Sequence, residues 1–261
     1  MSLVDIKKED NVVYLTLNNP PLNVLSPDMI GELAAIMDEM AADPESRVLV
    51  ITGGGDKAFM AGADVKHFPK LLAEKQAGAA KESTLLSQRM LKTLEKLPKP
   101  TIAAVNAMAL GAGCELALAC DIRICAESAS FGLPEINLGL IPGGGGTQRL
   151  PRVIGASKAK EMMFLGAPIS AAEAKECGLV SKVVPDDQLQ ETVKKMATKL
   201  AAKSGAALAG IKDAVNRGME TNRDAGLDIE LDLFDRAFLT ADGQEGVTAF
   251  LEKRKPVFTH K

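Results

Sequence analysis

Residues Val105–Leu150 read VNAMALGAGCELALACDIRICAESASFGLPEINLGLIPGGGGTQRL, and the fold turns on how this stretch is read. Two lone acids, Glu115 and Glu135, sit among Ala, Leu, Cys and Ile. A Gly111-Ala112-Gly113 turn directly precedes an apolar, helix-like run. A run of four glycines, Gly143–Gly146, follows. Carboxyls in such surroundings are candidates for burial, which disfavours the charged form and raises the pKa toward the range useful for proton transfer. Structural ion pairs perturb acids in the same way, so each acid alone also fits a helix end or a salt bridge.

Local geometry sharpens the functional reading. If the Gly-Ala-Gly turn opens a helix, the Ala112 N–H is an orphan donor at the positive end of the helix dipole. Glu115 lies three residues on, on the same face, and helical side chains lean back toward the N-terminus. One turn then presents an anion-stabilising donor beside a general base. The stretch Ala61-Gly62-Ala63-Asp64 has the same small-residue character and could offer a second donor. Two N–H groups converging on one carbonyl oxygen form an oxyanion hole. With two acids nearby, the chemistry indicated is proton addition or removal beside a carbonyl. Ordinary turn chemistry also explains each glycine cluster taken singly.

Outward from this stretch, strand and helix alternate. Val4–Lys7 and Val12–Leu17 form a hairpin around a polar turn. Ser26-Pro27-Asp28 starts a helix that runs to about Ala42 on apolar residues at helical spacing. Residues 47–52 (RVLVIT) and 101–105 read as buried strands, as does Ile122–Ala126. Ala58–Asp64 reads as a loop. Helices are expected at Val65–Leu72, at Ala80–Leu97 before two prolines, and at Gly113–Cys120. Ser170-Ala-Ala-Glu173 is a capping-box pattern with Gly178 as a stop, and Leu179–Val184 a further strand. From Asp186 to Leu251 three or four helices are expected. Met162, Met163, Phe164, Leu231, Leu233, Phe234 and Phe238 are assigned to core packing, with an assembly surface as the alternative. The pattern implies a layered α/β or repeated ββα plan.

Composition removes several function classes. The chain has 261 residues and a net charge of −3, with no tryptophan, one tyrosine and no basic stripe, so nucleic-acid binding is not expected. No apolar run reaches membrane-spanning length, and the N-terminus MSLVDIKKED carries no signal region, so a cytoplasmic location without membrane contact is expected. Four cysteines without paired spacing read as reduced core thiols, and two histidines without HExxH or CxxC leave no expected protein metal site. The glycine run lacks the Lys-Ser/Thr of a Walker loop, and no GxGxxG follows a strand.

The motifs resemble those of the enoyl-CoA hydratase/isomerase (crotonase) family, and within it the hydratases. The segments that carry the likeness are KAFMAGADVK (Lys57–Lys66), the run from Pro100 to Gly155, ISAAEAKECGLVSKVVP (Ile169–Pro185) and EGVTAFLEKRK (Glu245–Lys255). The resemblance implies an α/β fold with a crotonase-like ββα spiral core over residues 1–195. It implies a C-terminal helical trimerisation region over 196–261. It implies that Glu115 and Glu135 are catalytic and that Ala63 and Ala112 supply the oxyanion-hole N–H groups. Ala61, Asp64, Val65, Lys66 and Lys253 would bind substrate, the two lysines near the 3′-phosphate of coenzyme A. No cofactor is implied beyond the coenzyme A of an acyl-CoA thioester substrate, and a homotrimer or homohexamer is the implied assembly. The implied reaction is reversible syn addition of water to a trans-2-enoyl-CoA, giving a 3-hydroxyacyl-CoA. The alternatives are a Δ3-Δ2-enoyl-CoA isomerase and a non-catalytic acyl-CoA-binding protein. The chain departs from the family's NGYALGGG with NAMALGAG, placing Ala107, Met108 and Ala112 where Gly, Tyr and Gly are common. A backbone donor survives Gly→Ala if φ stays negative, and the added methyl narrows that side of the pocket.

Overall fold

In the computed structural model, which describes residues 2–69, 73 and 78–260, the strands fall into two sheets. The first has six strands in the order β1 (Val4–Glu9), β2 (Val12–Leu17), β3 (Val48–Gly53), β5 (Thr101–Val105), β7 (Ile122–Ala126) and β10 (Lys182–Val184). The second has four, in the order β4 (Ala58–Ala61), β6 (Met108–Leu110), β8 (Ser130–Gly132) and β9 (Ile169–Ser170). Only β1–β2 and β8–β9 pair antiparallel. From β3 to β8 each turn of the chain gives one strand to the first sheet and the next to the second, and a helix then closes the first two turns. That is the expected ββα spiral. The parallel strands β3 and β5 are buried along their whole length, which is why their sequences are continuously apolar rather than alternating.

The helix Pro27–Ala42 begins as its sequence predicts, with the Ser26 hydroxyl accepting from the Met29 N–H and Pro27 in the first turn. It buries Met29, Leu33, Met37 and Met40, a stripe at helical spacing. The capping box at Ser170 and Glu173 is formed in both directions. The helix Ala79–Lys96 starts one residue before the expected Ala80.

Three expectations are corrected. Ala58–Asp64 is not all loop, because Ala58–Ala61 is strand β4; four small or apolar residues are too few for a periodicity to register. Of the expected helix Val65–Leu72, Val65–His67 is a 3-10 turn, and the end of that segment lies outside the described residues. Of the residues assigned to core packing, Met162 is buried, but Phe164, Leu231, Phe234 and Phe238 are 70, 65, 67 and 53% exposed.

Those last residues belong to a wider pattern. The helices Gly205–Gly218 and Arg223–Leu239 pair with each other, and neither buries a single residue fully. Ile211, Val215, Met219, Leu227 and Leu239 are exposed beside them, as are Phe250 and Leu251 of the following helix, Ala241–Leu251. All three helices thus leave large apolar side chains exposed. The preceding helix, Leu189–Ala201, behaves differently and packs Leu189, Val193, Ala197 and Ala201 onto the first sheet. Among the described residues, no helix is long and apolar enough to cross a membrane.

Candidate active site

The second sheet assembles the site. Strands β4, β6 and β8 run parallel, with Ala61 paired to Leu110 and Leu110 paired to Gly132. Their C-terminal ends therefore finish at one edge, the side of a parallel sheet where ligands commonly bind. Ala63 lies two residues past Ala61, Ala112 two past Leu110, and Glu135 three past Gly132. The segments stay together beyond the strands. Gly111 donates its N–H to the Gly132 carbonyl at 2.9 Å. A Cβ placed on Gly111 would lie 3.5 Å from the Gly62 Cα and 3.1 Å from Glu135 Oε1. Three parts of the chain far apart in sequence thus meet around one turn.

Neither Ala63 nor Ala112 gives its N–H to a carbonyl or side-chain oxygen of the described residues. Ala63 forms a parallel bridge with Leu25, but the bonds of that bridge use the Leu25 and Asp64 N–H groups. Ala112 opens the helix Ala112–Ala119, so its N–H has no partner one turn earlier. Its φ is not positive, and the donor keeps ordinary helical geometry in spite of the methyl group. Ala61 and Asp64 are half-buried, and Val65 and Lys66 are exposed on the same segment. The Asp64 carboxylate caps the 3-10 turn by accepting the Lys66 N–H at 3.1 Å.

All eight residues of Ala112–Ala119 are buried. Gly113 lets the helix begin hard against β4: any Cβ there would collide with the Met60 carbonyl, so only glycine fits. The other end is held by Arg123, which is half-buried and donates to the carbonyls of Ala117 at 3.2 Å, Cys120 at 2.6 Å and Leu179 at 2.7 Å. A cation at a helix C-terminus satisfies the last carbonyls and complements the dipole.

Glu115 is 3% exposed. Its Oε1 accepts the Gly146 N–H at 2.8 Å, and the Gly144 backbone also donates to it. Burial is the largest influence on this carboxyl and pushes its pKa up to about 7; the two amides pull the other way, and the charge of Glu135 adds to the rise. The glycine run is therefore more than a turn. A Cβ on Gly144 would strike the Glu115 carboxylate, and one on Gly146 would lie 2.8 Å from Leu133 Cδ1. Glycine at 144 and 146 lets backbone amides reach an acid that a side chain would exclude.

Glu135 is set by a 3-10 turn, Pro134–Leu138, closed by Gly139 in the left-handed region. Burial raises its pKa as well. Its Oε2 is shielded from solvent and has no hydrogen-bond partner. A buried polar atom without a partner costs about 1–3 kcal/mol, a penalty that points to a ligand or to chemistry. The two acids thus differ in kind. Glu115 faces donors that favour its anion, whereas the unpartnered oxygen of Glu135 is better served by holding a proton. The thiol of Cys114, the residue before Glu115, is buried and pushed up to about 12, which makes it inert as a nucleophile.

The family model described as Enoyl-CoA hydratase/isomerase matches residues 7–261, almost the whole chain. The chain belongs to the enoyl-CoA hydratase/isomerase family. It is 44% identical over 257 residues to "Crotonyl-CoA hydratase" of Syntrophomonas wolfei, covering 98% of this chain and 97% of that protein. It is 41% identical over 253 residues to "Short-chain-enoyl-CoA hydratase" of Clostridium acetobutylicum, covering 97 and 95%. The crystal structure of an enoyl-CoA hydratase from Bacillus anthracis superposes with a TM-score of 0.93 at 40% identity, covering 100% of both chains. The crotonase-like fold is thereby established.

Of the residues nominated from sequence, the fold brings together Glu115, Glu135, Ala63 and Ala112, with Ala61, Asp64, Val65 and Lys66 on the adjoining segment. Lys253 is not brought to them. It is exposed after the C-terminal helix, whose main contacts in this chain are with Arg223–Leu239. Sequence reasoning missed Gly144 and Gly146 as partners of Glu115, and Arg123 as the cap of its helix. The glycine run was visible as a run; nothing in it said what it would approach.

Proposed function

We propose that this protein is an enoyl-CoA hydratase that adds water reversibly, and on one face, to a trans-2-enoyl-CoA. The observation that carries the reading is the meeting of two unlike carboxyls, one buried and one half-buried, beside two N–H groups with no partner among the described residues. The thioester carbonyl oxygen binds the N–H groups of Ala63 and Ala112, which stabilise the enolate-like charge that develops there. A water sits between the acids. Glu115, as the anion, takes a proton from it while the water oxygen bonds to Cβ. Glu135 delivers its proton to Cα, and the proton gained by Glu115 then returns to Glu135 to reset the pair. Water is thus divided across the double bond and no redox cofactor is needed; coenzyme A enters only as part of the substrate.

Lys66 lies on the oxyanion-side segment, in reach of a coenzyme A phosphate entering along it, with Ala61, Asp64 and Val65 lining the way. The same role for Lys253 requires the C-terminal segment of another subunit or a rearrangement on assembly. The apolar face of the C-terminal helices fits closure of a homotrimer or homohexamer.

The deciding experiment follows the enoyl-thioester absorbance, which hydration of crotonyl-CoA removes and isomerisation of a 3-enoyl-CoA creates, with the two as separate substrates. Hydration of the first, abolished in Glu115→Gln and Glu135→Gln alike, is the expected result. Wild-type turnover in both variants, or conversion of the 3-enoyl-CoA alone, would overturn the reading.

A further inference from the structure

The glycine loop that feeds Glu115 is held from outside by the helix Ala79–Lys96. Gln88 Nε2 donates to the Gly143 carbonyl at 2.6 Å. One turn earlier, Thr84 Cγ2 fills the space a Gly143 side chain would need. Two turns later, the Glu95 carboxylate takes Arg149 Nη2 at 3.0 Å and Nε at 3.4 Å. Arg149 lies in the helix Gly146–Ile154, directly after the loop, and its side chain is only 15% exposed. It turns back and donates Nη1 to the Gly144 carbonyl at 2.9 Å. One guanidinium therefore joins three things: the anchoring helix, the loop, and the carbonyl that lies between the Gly144 and Gly146 amides that serve Glu115.

We propose that Arg149, braced by Glu95, is a positioning residue for the base: it fixes the Gly144 and Gly146 amides on the Glu115 carboxylate and sets one positive charge behind them. The inference rests on the hydratase reading and goes beyond it in naming what prepares the base. The planar fork of arginine suits the task, since it can bind a carboxylate and a carbonyl at once in fixed directions. Lysine could supply the charge but not both bonds in that geometry. The field of Arg149 opposes the rise that burial imposes on Glu115. The other charged or titratable groups around Glu115 are few. Glu135 faces it from the 3-10 turn and Cys114 adjoins it on its own helix, Glu95 stands behind Arg149, and Arg123 caps the far end of the helix. The adjoining ends of β4 and β6 bring only uncharged residues, Ala58–Ala61 and Met108–Leu110. Among the described residues, Arg149 is thus a cation whose charge acts on the base, and it is tied to the loop that carries the base's donors.

The test is the pH profile of crotonyl-CoA hydration in wild type, Arg149→Gln, Arg149→Lys and Glu95→Gln. In Arg149→Gln we expect kcat to fall about tenfold to a hundredfold from misplaced donors, with KM nearly unchanged. The acid limb of kcat/KM should move to higher pH by about half a unit to one unit, because Glu115 loses a stabilising cation. Arg149→Lys should keep the acid limb near that of wild type while still losing turnover, and Glu95→Gln should lose turnover without any upward move of the limb. A loss of folded protein lowers the measured rate but leaves the profile in place, so the limb separates positioning from bulk structure. If Arg149→Gln does not fold, the inference stands or falls on whether the other two variants lose kcat at constant KM. An Arg149→Gln profile that superimposes on wild type, or wild-type kcat in both other variants, overturns it. Wild-type protein that leaves crotonyl-CoA unchanged would sink the hydratase reading instead, so the two failures are distinguishable.

Discussion

Two helical parts of this molecule invert one another. The helix Ala112–Ala119 has eight residues, all buried, and it carries a carboxylate into the interior. The helices Gly205–Gly218 and Arg223–Leu239 span 14 and 17 residues, bury none fully, and turn large apolar side chains outward. The short helix is too short to be stable on its own and is held by tertiary contacts: Gly113 against Met60, Arg123 on its last carbonyls, and the glycine loop on Glu115. The long ones have the length and caps to form unaided, such as the Asn222 side chain accepting the Ala225 N–H, but lack a partner for their apolar face. The first region holds an acid away from water, and the second leaves large apolar side chains exposed.

The comparison can be broken first at the acids. Glu115→Gln and Glu135→Gln should each reduce turnover by about 10²–10⁴ while the far-ultraviolet circular dichroism stays that of wild type. A smaller loss in either would mean that its burial serves packing rather than chemistry. Next in size is the loop. Gly144→Ala places a methyl on the Glu115 carboxylate, so we expect a loss of about a hundredfold in kcat, read by steady-state kinetics alongside a thermal melt. Changing Leu231 and Phe234 together to serine should leave the melt of the core nearly unaltered and lower the mass seen by light scattering. If the core unfolded instead, the contrast between the two regions would be mistaken.

A smaller, signed effect sharpens the same contrast. The folded pKa of Glu115 is raised, so the folded state binds its proton more tightly than the unfolded chain does. That protection is complete below the unfolded value of 4.5 and is lost as pH rises through about 7. The span corresponds to about 3 kcal/mol at most. Glu115→Gln should therefore be more stable than wild type at pH 8 in chemical denaturation, with the advantage shrinking toward pH 5. An equal difference at both values would count against a burial origin. The least effect is expected from Ala112→Gly, which keeps the N–H donor and should alter crotonyl-CoA turnover only a few-fold.

Much of this was readable from the chain. The buried strand at 101–105 is apolar from Ile102 to Val105, the strand at 122–126 is apolar apart from Arg123, and Ser26-Pro27 and Ser170–Glu173 announce helix starts through capping chemistry, so those elements are local properties. The second sheet was not legible, because β4, β6, β8 and β9 are two to four residues long, below the span at which alternation can be counted. Glu115 and Glu135 stood out as acids in apolar company, but their meeting depends on the pairing of β6 with β8, Leu110 against Gly132, which no local pattern announces. Phe234 and Phe238 were assigned inward on hydrophobicity alone; sequence does not distinguish a core from a surface awaiting contact. Arg149 and Glu95 are 54 residues apart and look like any two charges on exposed helices.

The pairing of Ala61 with Leu110 and of Leu110 with Gly132 has a consequence for how such a chain can change length. Each reactive group is reached by counting a fixed two or three steps from a strand end, so one inserted residue would carry an amide or acid about 3 Å out of line. The segments between the end of β4 and Ala63, Leu110 and Ala112, and Gly132 and Glu135 are therefore closed to insertion and deletion, even where they would accept a different side chain. The spans joining the turns of the spiral keep no such count, and length variation belongs there.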